Sequence, residues 1–119
     1  MAASLSITKF QDAVDYKLVQ CTSIEDATAF VNVTGGPGVL YSAIIDCTLN
    51  SNNLALHLLD GKDSANSEII VRGKSLSIRS IQIPTGFSFD MLNFRVSASS
   101  AEDGTTDFSG TVAVTLVCS

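Results

Sequence analysis

Acid–base relays of the Ser-His-Asp or Cys-His kind need a histidine, and this chain has a single one, His57. An imidazole that titrates near neutrality can take the proton of a hydroxyl or thiol and pass it on, so nucleophilic chemistry of that type would have to run through this residue. Its neighbours point elsewhere. In Leu54-Ala55-Leu56-His57-Leu58-Leu59 the residues Leu54, Leu56 and Leu58 share one face of a strand and His57 takes the other, and the chain contains no Gly-x-Ser-x-Gly elbow. The expectation is a polar surface or interface histidine whose replacement by alanine leaves folding nearly intact. Structural zinc needs four Cys/His ligands at short spacing, which Cys21, Cys47, Cys118 and one histidine do not supply. Each cysteine lies in an apolar stretch, so the thiols are expected to be reduced and buried. The acidic turns Asp60-Gly61-Lys62-Asp63 and Glu102-Asp103-Gly104-Thr105-Thr106-Asp107 lack the ligand order of a twelve-residue calcium loop and read as solvated turns. Gly35-Gly36-Pro37-Gly38 leads into a strand with no Lys-Ser/Thr behind it, which makes it a turn and not a phosphate cradle. No catalytic residue, metal or cofactor is expected, and the chain reads as a non-enzyme.

The elements that would position such residues follow from composition and rhythm. The 119 residues are 45% hydrophobic and only 16% charged, below the usual fraction of about 25%. A chain so poor in charge is expected to cover part of its surface with copies of itself or with another protein. The net charge is −5, and the seven basic residues (Lys9, Lys17, Lys62, Arg72, Lys74, Arg79, Arg95) look scattered, which argues against nucleic acid and anionic membranes as partners. Met1–Phe10 lacks the pattern of a secretory signal, and no apolar run has the length of a membrane span, so folding in a cytosol is expected. Without secretion, the acceptor pattern Asn32-Val33-Thr34 carries no weight.

Apolar residues alternate with polar ones almost throughout, and turn residues separate the runs. Strands are expected at Tyr16–Ser23, Thr28–Thr34, Val39–Thr48, Asn53–Asp60, Glu68–Arg72, Ser75–Ile83, Asn93–Ser99 and Gly110–Cys118, with a weaker one at Ser4–Phe10. Short strands at this cadence predict an all-β fold, a single-domain antiparallel β-sandwich, jelly-roll-like, of about eight strands. Residues 16–119 form the sandwich, and residues 1–15 are a possible N-terminal arm that orders on docking. Leu76 and Ile78 fall on one parity, Ile81 and Ile83 on the other, which predicts a bulge or bend near Arg79-Ser80. Ile83-Pro84-Thr85-Gly86 is expected to end a strand, and Ser97–Ser109 to form a mobile, exposed loop.

Three segments carry a resemblance. They are Gly36-Pro37-Gly38-Val39-Leu40-Tyr41, Leu56-His57-Leu58-Leu59-Asp60 with its Asp-Gly turn, and Ile83-Pro84-Thr85-Gly86-Phe87-Ser88-Phe89. A strand, a Ser/Thr-rich loop and a final hydrophobic strand follow. Over residues 30–118 this order resembles small β-sandwich virion proteins of tailed bacteriophages. The resemblance implies a capsid decoration (cement) protein, a head fibre, or a neck or tail module, often trimeric and without an active site. The leading expectation is a decoration protein of the virion, assembled in the host cytoplasm, whose partners are copies of itself in a homotrimer and the major capsid protein or another virion protein. Phe30, Leu40, Ile44, Leu59 and Val117, assigned to outward strand faces, are the candidate interface. The alternatives are a fibre, neck or tail module that binds a host receptor, and a carbohydrate-binding module. The last is weakened by the lack of Trp and by the scarcity of Tyr, which leave few aromatic platforms.

Overall fold

A computed structural model describes residues 4–11, 14–61, 68–101 and 104–119. The strands are β1 (Ser4–Gln11), β2 (Val14–Ile24), β3 (Gly38–Asp46), β4 (Ala55–Asp60), β5 (Ile69–Arg72), β6 (Ile78–Phe89), β7 (Leu92–Ser97) and β8 (Val112–Cys118). They form two antiparallel sheets, a larger one of order β1-β2-β8-β3-β6 and a smaller one of order β5-β4-β7. Between Phe30 and Phe94 lies an isolated bridge, with Phe30 N–H donating to Phe94 O at 2.8 Å and Phe94 N–H donating back at 2.9 Å. This bridge lays the segment after β2 along the free edge of β7. Two four-membered layers result, β2-β8-β3-β6 facing Phe30-β7-β4-β5, with β1 added outside β2. That is the strand order of a jelly roll, so the expected β-sandwich is the observed fold.

The core is built from one face of each strand, as the two-residue period requires. Val112, Val114, Leu116 and Cys118 of β8 meet Leu56 and Leu58 of β4 and Phe94 and Val96 of β7, with Val19, Cys21, Ala43 and Ile45 alongside; all are buried. Phe30 stacks on Phe94 with ring centroids 4.9 Å apart and an interplanar angle of 17°. The three thiols are free and buried, and burial pushes both Cys21 and Cys118 up to about 11.

Several local expectations are corrected. The strand expected over Thr28–Thr34 reduces to the Phe30 bridge. Asn32 has a φ of 52°, which turns the chain away, while its N–H donates to Asn93 Oδ1 at 2.8 Å. No bulge lies at Arg79-Ser80: Ile78 to Gln82 pair in unbroken register with Asp46 to Ser42. The change of parity is absorbed earlier, because Leu76 (φ 58°) belongs to the turn before β6 and Ile78 faces outward, leaving Ile81 and Ile83 to pack on the core. Ile83-Pro84-Thr85-Gly86 does not end a strand. It is a local irregularity within β6, opposite Tyr41, where Leu40 pairs with Phe87 and Ser42 with Gln82, so proline sits where no ladder bond is required of it.

Candidate functional site

Cross-strand partners in an antiparallel sheet point their side chains to the same side. One row across the larger sheet therefore reads Leu18, Val117, Ser42, Gln82, and the next reads Gln20, Thr115, Ile44, Ser80. A third row is Ala113, Asp46, Ile78. These rows form the outer face, since the intervening positions (Val19, Val114, Leu116, Ala43, Ile45) fill the core. Among these outward residues Asp46 alone carries a charge. The face is otherwise aliphatic side chains set among hydroxyls and amides, all reaching solvent to some degree except Ser42, which receives a hydrogen bond from Gln82 Nε2 at 2.9 Å. Tyr41 is the extra residue of a bulge, because Leu40 pairs with Cys118 and Ser42 with Val117. The bulge leaves a shallow hollow of about 300 Å³ lined by Tyr41, Gln82, Ile83, Pro84 and Val117.

The five residues assigned to an interface separate into three groups. Ile44 and Val117 lie in neighbouring rows of this outer face and are half-buried. Phe30 is half-buried at the β7 edge, stacked on Phe94. Leu40 faces the interior and is 0% exposed, a correction with a clear cause: the bulge at Tyr41 shifts the strand by one residue, which moves Leu40 to the same side as Ala43 and Ile45. Leu59 is on the outer face of the smaller sheet, as its parity demands, yet only 3% exposed because that face is covered.

Over His57, Arg95 and Ser97 the cover is the chain's own loop after β7. Every residue of β7 is buried, and so are Ala55, His57 and Leu59 of β4, so both strands are enclosed on both sides. His57 is not a surface histidine. It is 0% exposed, and its Nε2 lies 2.8 Å from Ser99 O. A carbonyl oxygen only accepts, so the proton resides on Nε2. Beside it Arg95, His57's cross-strand partner, donates from Nε to Gly104 O at 2.7 Å. Ser97 Oγ donates to Thr106 O at 3.2 Å, and Ala98 N–H to the same carbonyl at 2.9 Å. Ala27 N–H donates to Asp107 Oδ1 at 3.0 Å, which ties the loop to the segment leading to Phe30. The expected exposed loop is thus, in its described residues, a cap: carbonyls of Ser99, Gly104 and Thr106 are bonded to the sheet beneath, while Ser100, Ala101 and Thr105 are exposed. Gly104 is required in it: a Cβ there would lie 2.7 Å from Ser99 Oγ and 2.9 Å from Ser99 O. Burial pulls the His57 imidazole below its ordinary value; the bond to Ser99 works against this and the positive charge of Arg95 adds to it.

Of the two acidic turns, residues 62–67 and 102–103 lie outside the described residues. Asp60 spends its carboxylate on the chain, with Oδ1 accepting from Asp90 N–H at 2.9 Å and Met91 N–H at 3.1 Å. The basic residues do not all scatter: Arg72, Lys74 and Arg79 line one groove, which the sequence reading missed. Their closeness along the chain was the available signal. Comparison with family models, with curated proteins and with solved structures found no match to this chain.

Proposed function

We propose that this protein is a non-enzymatic structural module of a virus particle, a decoration protein that self-associates through the outer face of its larger sheet and seats the assembly on the capsid. The observation that carries the reading is the composition of that face. Leu18, Ile44, Ile78 and Val117 stand among neutral polar side chains with Asp46 as the sole charge, in a chain of twelve acidic and seven basic residues. Depletion of charge over a contiguous flat patch is the compositional mark of an interface core. The jelly-roll order adds support, since this architecture recurs in virus capsid subunits, and the resemblance to phage decoration proteins supplies the threefold state and the capsid as partner. Three linked copies would hold the shell by multivalency, each contributing modest contacts.

Sedimentation at micromolar concentration tests the assembly. A trimer is expected for the native chain, and a monomer with an unchanged melting temperature for Ile44→Asp. A native monomer would remove the trimer, and a trimeric Ile44→Asp would remove the surface. Saturable binding of the purified protein to capsids that lack it tests the second half.

A further inference from the structure

At one end of the sandwich β4 and β6 begin while β5 and β7 end, and the four ends enclose a groove of about 410 Å³. Its lining includes Arg72, Lys74 and Arg79 and, among the described residues, no acidic one. All three cations are exposed, and among the described residues none of them forms an ion pair. In a chain of net charge −5 this is a local reversal of sign.

The fold sets the three side chains there through a fastened turn. Arg72 closes β5 opposite Ala55, and Gly73 N–H then donates to Leu54 O at 2.7 Å. A Cβ on Gly73 would lie 3.0 Å from that oxygen and 3.1 Å from Cys47 Sγ, so glycine lets the turn lie close against β4. Ser75 N–H donates to Asn53 Oδ1 at 3.0 Å, and Leu76 N–H to Asn50 O at 2.9 Å. Arg79 pairs with Ile45 and so shares the inward side of β6 with Ile81 and Ile83, but at the open end of the sandwich, where that apolar stripe gives way to a guanidinium.

Two guanidinium forks and an ammonium gathered without a counter-ion among the described residues repel one another, and a multiply charged oxyanion relieves this through paired N–H···O bonds. The groove exceeds one oxyanion in size and falls within the usual span of small-molecule sites, about 300–1,000 Å³. Asn53 and Ser100 on its rim offer neutral polar groups of the kind that bind hydroxyls. Among the described residues no aromatic ring lines it, so neither a base nor the face of a neutral sugar has a platform to stack on. We infer that this groove is a binding site for a phosphate or sulfate monoester carried on a polyol, such as a phosphorylated or sulfated sugar.

The site is separate from the assembly face, and the experiment keeps them apart. Amide chemical shifts of the full chain are followed while glucose 6-phosphate, a trisulfated heparin disaccharide, inorganic phosphate or glucose is added, in the native protein and in Ile44→Asp. Saturable shifts at Gly73, Lys74 and Ser100 are expected with the sugar phosphate or the sulfated disaccharide in both backgrounds, whether or not the native chain is a trimer. Arg79→Glu should weaken that binding by about tenfold or more, and Arg79→Lys by less, because lysine keeps the charge and loses the fork. Thermal melts of the two variants confirm that they are folded. Absence of saturable shifts with every esterified probe would overturn the site, as would glucose binding as tightly as glucose 6-phosphate or an Arg79→Glu variant that binds as the native chain does. Inorganic phosphate binding as tightly as the sugar phosphate would overturn the polyol part.

Discussion

On the outer face of the smaller sheet His57, Asn93, Arg95 and Ser97 are polar and buried, whereas on the outer face of the larger sheet Leu18, Ile44, Ile78 and Val117 are apolar and reach solvent. The two faces belong to one sandwich and differ in what lies over them. The smaller sheet is closed by the chain itself: the loop after β7 brings backbone carbonyls of Ser99, Gly104 and Thr106 down onto side-chain donors of β4 and β7. Polar groups survive burial there because each described bond meets a donor with an acceptor. The larger sheet carries no such cover among the described residues, and its outer groups need none, being either small hydroxyls that water satisfies or aliphatic chains that a second protein surface would satisfy better. An outward position that is polar and buried reports intramolecular cover, and one that is apolar and open is a candidate for intermolecular cover.

Truncations on the two faces should therefore differ most. Arg95→Ala removes the donor to Gly104 O from a buried position, and urea unfolding should show a loss of about 3 kcal/mol. His57→Ala should cost about 2 kcal/mol by the same measurement, since Ser99 O loses its donor and a void opens beneath the cap. This reverses the expectation for a surface histidine. Gly104→Ala pushes a methyl group into Ser99 and should cost about 1–2 kcal/mol, with faster hydrogen exchange confined to the cap. Ile44→Ala, measured in dilute solution, should change stability by about 0.5 kcal/mol or less. Equal costs for Arg95→Ala and Ile44→Ala would break the comparison.

Acid sharpens it further. The folded state holds His57 below its ordinary value, so near and below pH of about 6.5 the unfolded chain binds more protons than the native one. Stability is complete above that range and falls as pH drops through it toward the folded value. The melting temperature should decline between neutral pH and pH of about 5, and His57→Gln should flatten the part of that slope which belongs to the cap. Across the same range the buried thiols stay protonated, with Cys21 and Cys118 held at about 11, and an aromatic disulfide reagent should react with them only on unfolding.

Much of the fold was legible because side-chain period is local. Leu54/Leu56/Leu58 and Val112/Val114/Leu116/Cys118 declare their strands and their inward face without reference to anything distant. The faults arose where one residue changes the phase. Nothing in Val39-Leu40-Tyr41-Ser42 marks Tyr41 as the bulge, because the extra residue is defined by the pairing of Leu40 with Cys118 and of Ser42 with Val117, at the far end of the chain, and so Leu40 was placed outside. The apparent bulge at Arg79-Ser80 failed for the converse reason: Leu76 and Ile78 are hydrophobic yet solvent-facing, and only the turn at Leu76 shows that they never shared a face with Ile81.

The sequence by itself determined the all-β class, the approximate strands, the inward stripes and the burial of the three cysteines, all of which depend on spacing within a few residues. Tertiary structure decided which outward faces are covered. The parity of His57 and of Leu59 states that they point away from the core; it cannot state that both are nonetheless buried, that a loop some forty residues later folds over His57, or that Arg72, Lys74 and Arg79 meet around one groove. Cover and convergence are properties of distant segments brought together, and a two-residue rhythm carries no information about them.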